Sequence, residues 1–272
     1  MATPPFRFGI SLFTGSSRPD WLAKAQQAVD LGYDVVQVAD HLSLPAPFPA
    51  LVAAGDVRGP VRLGTLVLNA SFYRPALLAR DVAETNKLVD GRLELGLGTG
   101  YNVAEFEAAG LPFGTAAQRI DHLERTITEL RQLVDPMPSL LLAASGRRML
   151  KLAAREADIV GLTITTPESD PEQVLSDRIE FLQDAAGDRF DRLELNFFLF
   201  LVSTGSEPDL TMARQTLGMS DEQIRALPGV LIGSAGQVAE TLLRYRERYG
   251  LTYFSALEPH MAEFAEVIER LR

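Results

Sequence analysis

The chain has no cysteine among its 272 residues. Disulfides, thiol nucleophiles and thiolate metal sites are therefore excluded. It has only three histidines, at positions 41, 122 and 260, and this spacing argues against a histidine-built metal centre. Basic residues are outnumbered 26 to 36 by acidic ones, giving a formal net charge of -10. A surface of that sign repels nucleic acid and anionic membrane, so neither is expected as a partner. An anionic ligand must find a local basic site. No apolar run approaches the length that spans a bilayer. Residues 1–7 lack a basic segment followed by an apolar core, so no signal peptide is read and a cytoplasmic location is expected. Internal repeats, low-complexity tracts and linker-like stretches are also missing, which makes residues 1–272 one domain.

What the chain does have is alternation. Strand-like segments fall at residues 6–12, 35–39, 61–68, 92–97, 139–144, 158–162, 193–202 and 251–257. Helical patterns lie between them. Pro19 opens one that carries Trp21, Leu22, Ala25, Ala28 and Val29 and stops at Gly32. A short helix is read at residues 51–54. Pro75 opens the next. Ile120, Leu123, Ile127, Leu130 and Val134 line an amphipathic face, and further helices follow Ser145-Gly146, surround Leu175 and Leu242, and start at Pro259. Residues 205–218 read as irregular and as the most mobile part. Parallel neighbours need a crossover, so strand–helix alternation implies a parallel sheet. Eight units in a chain of this length favour a closed (β/α)8 barrel, with its site at the strand C-terminal ends.

Several chemistry-bearing residues follow strand segments and would meet at that mouth: Asp40-His41, Asn69, Gly98-Thr99-Gly100 and Ser145-Gly146. An imidazole there can move a proton near neutral pH. The glycine turn has two readings, a methyltransferase motif or a barrel turn that admits a flavin-like ring. The methyltransferase needs an acidic residue at the end of the next strand, and residues 140–145 contain none. Ser145-Gly146-Arg147-Arg148 opens a helix, where free N–H groups and the dipole favour an anion. Phe13, Phe72, Tyr73 and Tyr101 are candidates for the wall of a substrate pocket.

Together these motifs resemble the luciferase-like monooxygenase superfamily, in the branch that uses coenzyme F420. The landmarks are Ala39-Asp40-His41, Leu63-Gly64-Thr65, Arg74-Pro75, Asp90-Gly91-Arg92 with Gly96-Leu97-Gly98-Thr99-Gly100 and Glu105, Arg119, Ala143-Ala144-Ser145-Gly146, and Gly233 with Val238-Ala239. The resemblance implies a bacterial luciferase-like TIM barrel, a homodimer, and an oxidoreductase that moves hydride between the deazaflavin and a small organic substrate. It implies that His41 transfers a proton or polarises the ring, and that Asp40 contacts the ring or orients the imidazole. Leu66, Val67 and Asn69 would back the ring, with a cis peptide at Leu66-Val67. Gly98, Thr99 and Gly100 would admit it, and Ser145, Gly146 and Arg147 would take the cofactor phosphate. Phe13 and Tyr101 would border the substrate. Tyr101 stands where glycosyl-phosphate dehydrogenases of this branch have an acid, so a sugar phosphate is not expected. The connection from Val134 to Ser139 is shorter than in many relatives. An FMN-dependent monooxygenase on the same barrel, and a cofactor-binding protein without turnover, remain alternatives.

Overall fold

The computed structural model describes residues 4–166, 170–205 and 207–272. In chain order the elements are β1 (Arg7–Leu12), α1 (Arg18–Asp30), β2 (Val35–Val38), α2 (Pro47–Ala54), β3 (Arg62–Thr65), β4 (Leu68–Asn69), α3 (Pro75–Leu88), β5 (Leu93–Gly98), α4 (Val103–Ala108), α5 (Ala116–Leu133), β6 (Ser139–Ala143), α6 (Arg147–Glu156), β7 (Ile159–Leu162), α7 (Pro171–Ala186), β8 (Glu194–Leu199), β9 (Leu201–Ser203), α8 (Thr211–Leu217), α9 (Asp221–Arg225), β10 (Val230–Ile232), α10 (Ala235–Tyr249), β11 (Tyr253–Leu257) and α11 (Met261–Leu271).

All of the main strands pair in parallel, in the order β3-β2-β1-β11-β8-β7-β6-β5-β4. Leu63 pairs with Leu93 and Gly64 with Glu94, so β3 also meets β5 and the sheet closes. β4 continues β3 beyond the Leu66–Val67 peptide, which is cis. The result is an eight-stranded barrel ringed by helices, as the alternation implied. Local signals at the helix starts are satisfied. Ser17 caps α1 by accepting from the Asp20 amide, Thr115 closes a capping box with Gln118 on α5, and Pro75 occupies the first turn of α3.

Two cores result. The large one lies between strands and helices. The smaller one fills the barrel lumen with Val35, Leu141, Ile159 and Tyr253, and Leu66 and Val67 pack against it. At the N-terminal end of the lumen, Arg7 pairs with both Glu94 and Glu194 and lies 4.5 Å over the Tyr253 ring, while Arg62 Nε is 2.8 Å from Glu94. This plug closes the barrel floor and leaves the C-terminal mouth as the open end.

The structure corrects the strand expected at residues 193–202. It breaks at Phe200, whose amide donates to the Gly229 carbonyl at 2.7 Å. β8 stays in the barrel between β7 and β11, and β9 leaves it to pair with the unanticipated β10. A continuous apolar run cannot signal this change of partner, because both halves are buried. Residues 205–218, expected to be irregular and mobile, include helix α8, closed by Gly218 in the left-handed conformation. Ser206 lies outside the described residues, as do residues 1–3 of the segment read for a signal peptide. The short helix expected at residues 51–54 starts earlier, at Pro47, and α4 and α9 were not anticipated. No described helix is long and apolar enough to cross a membrane.

Candidate active site

Five neighbouring strands, in the order β1-β2-β3/β4-β5-β6, carry the expected site residues on their C-terminal ends. Phe13 follows β1, Asp40 and His41 follow β2, and Leu66, Val67 and Asn69 lie along β3 and β4. Gly98 ends β5, with Thr99, Gly100 and Tyr101 after it, and Ser145, Gly146 and Arg147 lead β6 into α6. Residues spread over 135 positions thus form one arc of the rim, because parallel strands put all their C-termini at one end.

Hydrogen bonds tie the arc together. The Asp40 carboxylate accepts from the Asn69 amide at 3.0 Å and from the Tyr73 hydroxyl. Burial raises the Asp40 pKa, against the lowering effect of these two donors and of His41. His41 Nδ1 lies 2.9 and 3.1 Å from the two carboxylate oxygens of Glu105, and the Tyr101 ring stands edge-on to the imidazole with centroids 5.9 Å apart. Asp40 was expected either to touch the ring or to orient the imidazole. Its carboxylate is engaged by Asn69 and Tyr73, and the contact on the imidazole belongs to Glu105. Glu105 was visible in the sequence only as a landmark. The one local sign was its place three residues after Asn102, which caps α4 through the Ala104 amide.

The glycines after β5 serve a purpose the sequence did not reveal. A Cβ on Gly96 would fall 1.9 Å from the Thr65 carbonyl oxygen, one on Gly98 would fall 2.8 Å from Val67 Cγ2, and one on Gly100 would fall 2.4 Å from the Asn69 amide group. Gly96, Gly98 and Gly100 therefore make room for Thr65, Val67 and Asn69 of the adjacent strand. The neighbouring strand fills the space on the side of Gly98 and Gly100 where a Cβ would point. That strand presents Leu66 and Val67, half-buried, as an apolar surface at the top of the lumen.

The helix start after β6 has its expected form, with one change. Gly146 caps α6 with extended backbone and no side-chain acceptor, so the helix's first N–H groups have no side-chain cap. A Cβ on Gly146 would meet nothing within 4 Å. Of the two arginines, Arg148 is held by Asp121 and the Ala117 carbonyl, whereas exposed Arg147 lies 4.0 Å over the Phe181 ring. Gly98 is next to this corner, since its Cβ would be 3.8 Å from that of Ala143.

Phe13 is fixed by a residue the sequence did not single out. Glu258, just beyond β11, accepts from the Phe13 amide at 2.8 Å, the Thr14 amide at 2.9 Å and the Thr14 hydroxyl, and Lys24 Nζ lies 3.0 Å away. Outside the arc, His122 Nε2 sits 3.0 Å from the Ala70 carbonyl and His260 is half-buried. Among the described residues no cluster of three metal-ligating side chains occurs. The rim carries exposed apolar side chains beside His41: Leu42 is 52%, Tyr101 74% and Val103 46% exposed.

His41, the apolar Leu66–Val67 surface and the uncapped α6 start thus lie around the C-terminal mouth, the face where (β/α)8 barrels carry their active sites. The chain belongs to the luciferase-like monooxygenase family, whose model matches residues 5–209. It is 30% identical over 231 residues to the F420-dependent glucose-6-phosphate dehydrogenase of Nakamurella multipartita, a match that covers 71% of this chain and 67% of that one. Among solved structures it resembles an F420-dependent secondary alcohol dehydrogenase in complex with an F420–acetone adduct, with TM-score 0.78, 16% identity and coverage of 99% of this chain and 100% of that chain. It also resembles the coenzyme F420-dependent tetrahydromethanopterin reductase of Methanopyrus kandleri, with TM-score 0.76, 17% identity and the same coverage. At those identities the structural likeness establishes the barrel and nothing finer.

Proposed function

We propose that this protein is a coenzyme F420-dependent oxidoreductase acting on a small organic alcohol or carbonyl compound. The observation that carries the reading is the single arc at the barrel mouth: proton-handling His41, the apolar shelf of Leu66 and Val67, and the uncapped α6 start with Arg147. These residues fit a flat, phosphorylated redox ring. Leu66, Val67 and Asn69 would lie behind it, Asp40 and the turn of Gly98, Thr99 and Gly100 at its edge, and Ser145, Gly146 and Arg147 at its phosphate. A bound deazaflavin supplies an obligate hydride donor or acceptor, which leaves the protein to orient the partners and move one proton. His41 holds or takes that proton.

Phe13, Tyr101 and the apolar lip of Leu42 and Val103 support a substrate with apolar surface. Tyr101 in place of an acid speaks against glucose 6-phosphate, the substrate named for the Nakamurella relative. The same reading carries a homodimer and a cytoplasmic location, and sedimentation of the purified protein checks the former.

The test is a titration with coenzyme F420 and, separately, with FMN, followed by fluorescence and melting temperature. At a hundredfold excess over Kd, the true cofactor stabilises by about 2.7 kcal/mol. Tight FMN binding with no F420 binding would replace this reading with the flavin monooxygenase one. With F420 bound, His41→Ala should lower kcat about 100-fold or more, the usual contribution of a positioned proton carrier. An unchanged kcat would remove His41 from the chemistry.

A further inference from the structure

We propose that Glu105 is the positioning residue for His41. It fixes the proton on Nδ1 and leaves Nε2 as the nitrogen that exchanges a proton with substrate. A neutral imidazole carries one N–H, and an ionised carboxylate can only accept. With both Glu105 oxygens within 3.1 Å of Nδ1, the proton resides there and the lone pair on Nε2. Among the described residues, Glu105 is the one side chain that hydrogen-bonds the ring. Asp40 is engaged by Asn69 and Tyr73, and Tyr101 meets the imidazole with its ring edge.

The carboxylate is held in place by its helix. Asn102 caps α4, and Phe106, the residue after Glu105, is buried with its ring 5.6 Å from Phe72 and 5.0 Å from Phe113. An anchored first turn aims Glu105 at His41 across 64 residues of sequence.

The catalytic half of the inference rests on the proposed function. In alcohol oxidation, the C–H hydrogen leaves with its electron pair as hydride to the oxidised deazaflavin, the O–H bond breaks with its proton passing to His41 Nε2, and the C=O bond forms. The imidazolium so produced keeps its Nδ1–H donating to the ionised Glu105 carboxylate, which stabilises the charge.

The experiment uses the full chain labelled with 15N-histidine, without cofactor, at alkaline pH where the ring is neutral, and His41→Gln assigns the signal. The wild type should show a protonated Nδ1 and a bare Nε2. Glu105→Leu should revert to the Nε2–H tautomer that free histidine prefers, and Glu105→Gln, whose carbonyl can still accept, should keep the wild-type pattern. An Nε2–H tautomer in the wild type, or no change in Glu105→Leu, overturns the proposal. The kinetic arm compares variants that bind F420 with wild-type Kd: Glu105→Leu should lose about 100-fold in kcat with KM within about threefold, and Glu105→Gln should recover most of the loss. A rise in KM with kcat intact would overturn the catalytic half. If the wild type binds no F420, the cofactor reading fails while the tautomer result stands by itself.

Discussion

Gly98→Ala should destabilise the barrel mouth through one identifiable neighbour, and removing that neighbour should undo the damage. The new Cβ would fall 2.8 Å from Val67 Cγ2, closer than carbon atoms pack, so the valine must rotate or β4 must move. Overfilling a packed site by one methyl costs about 1–3 kcal/mol, or roughly 2–5 °C in Tm for a domain of this size. In Val67→Ala/Gly98→Ala the Cγ atoms are gone, and the pair should show a coupling energy of about 0.5–3 kcal/mol in the stabilising direction. Gly96→Ala is the control that no side-chain trimming can rescue, because its Cβ would fall 1.9 Å from the backbone oxygen of Thr65. Urea denaturation of the four variants, with unchanged m, measures all these terms. Strictly additive effects of Val67→Ala and Gly98→Ala would refute the packing argument. It would also be refuted if Gly98→Ala kept full stability but lost only cofactor binding, since the glycine would then be bare for the ligand after all.

Two further outcomes follow from the charged groups. Burial acts to raise the Glu258 pKa, but the Phe13 amide, the Thr14 hydroxyl, Lys24 and the Thr14 amide outweigh it and hold the carboxyl below the ordinary carboxylate range. A lowered folded pKa gives stability above the unfolded value that is lost as pH falls through the folded one. Glu258→Gln should therefore cost about 1–2 kcal/mol at neutral pH and progressively less in acid, read as Tm against pH; parallel curves would contradict it. At the barrel floor, Arg7→Met strands Glu194, whose pKa burial already raises against the pull of Arg7, and should cost about 3–5 kcal/mol. A carboxyl with a raised folded pKa is better tolerated when protonated, so this variant should melt higher at about pH 5 than at about pH 7.5. Adding Glu194→Leu should recover part of the loss, and a double variant no more stable than Arg7→Met would argue against the stranded charge.

Much of this molecule was legible in the chain itself. Apolar runs alternating with 3.6-residue patterns gave all eight barrel strands and the helix starts marked by Pro19 and Pro75, because period and helix punctuation are local properties that a few adjacent residues determine. Parallel connectivity alone places Phe13, His41, Asn69, Gly98 and Ser145 at one end. What local pattern could not supply was partnership. Phe200 ends β8 only because Gly229 meets its amide. The glycines of β5 are bare because Val67 and Asn69 occupy their flank. Glu105 reaches His41 across 64 positions, and Glu258 reaches Phe13 across 245. Each of these contacts exists only once the barrel has closed and brought distant strand ends within hydrogen-bond range. Sequence therefore determined the repeating unit and the side of the barrel on which chemistry gathers, and tertiary structure decided which carboxylate holds which group, since closure alone sets the distances between strands far apart in the chain.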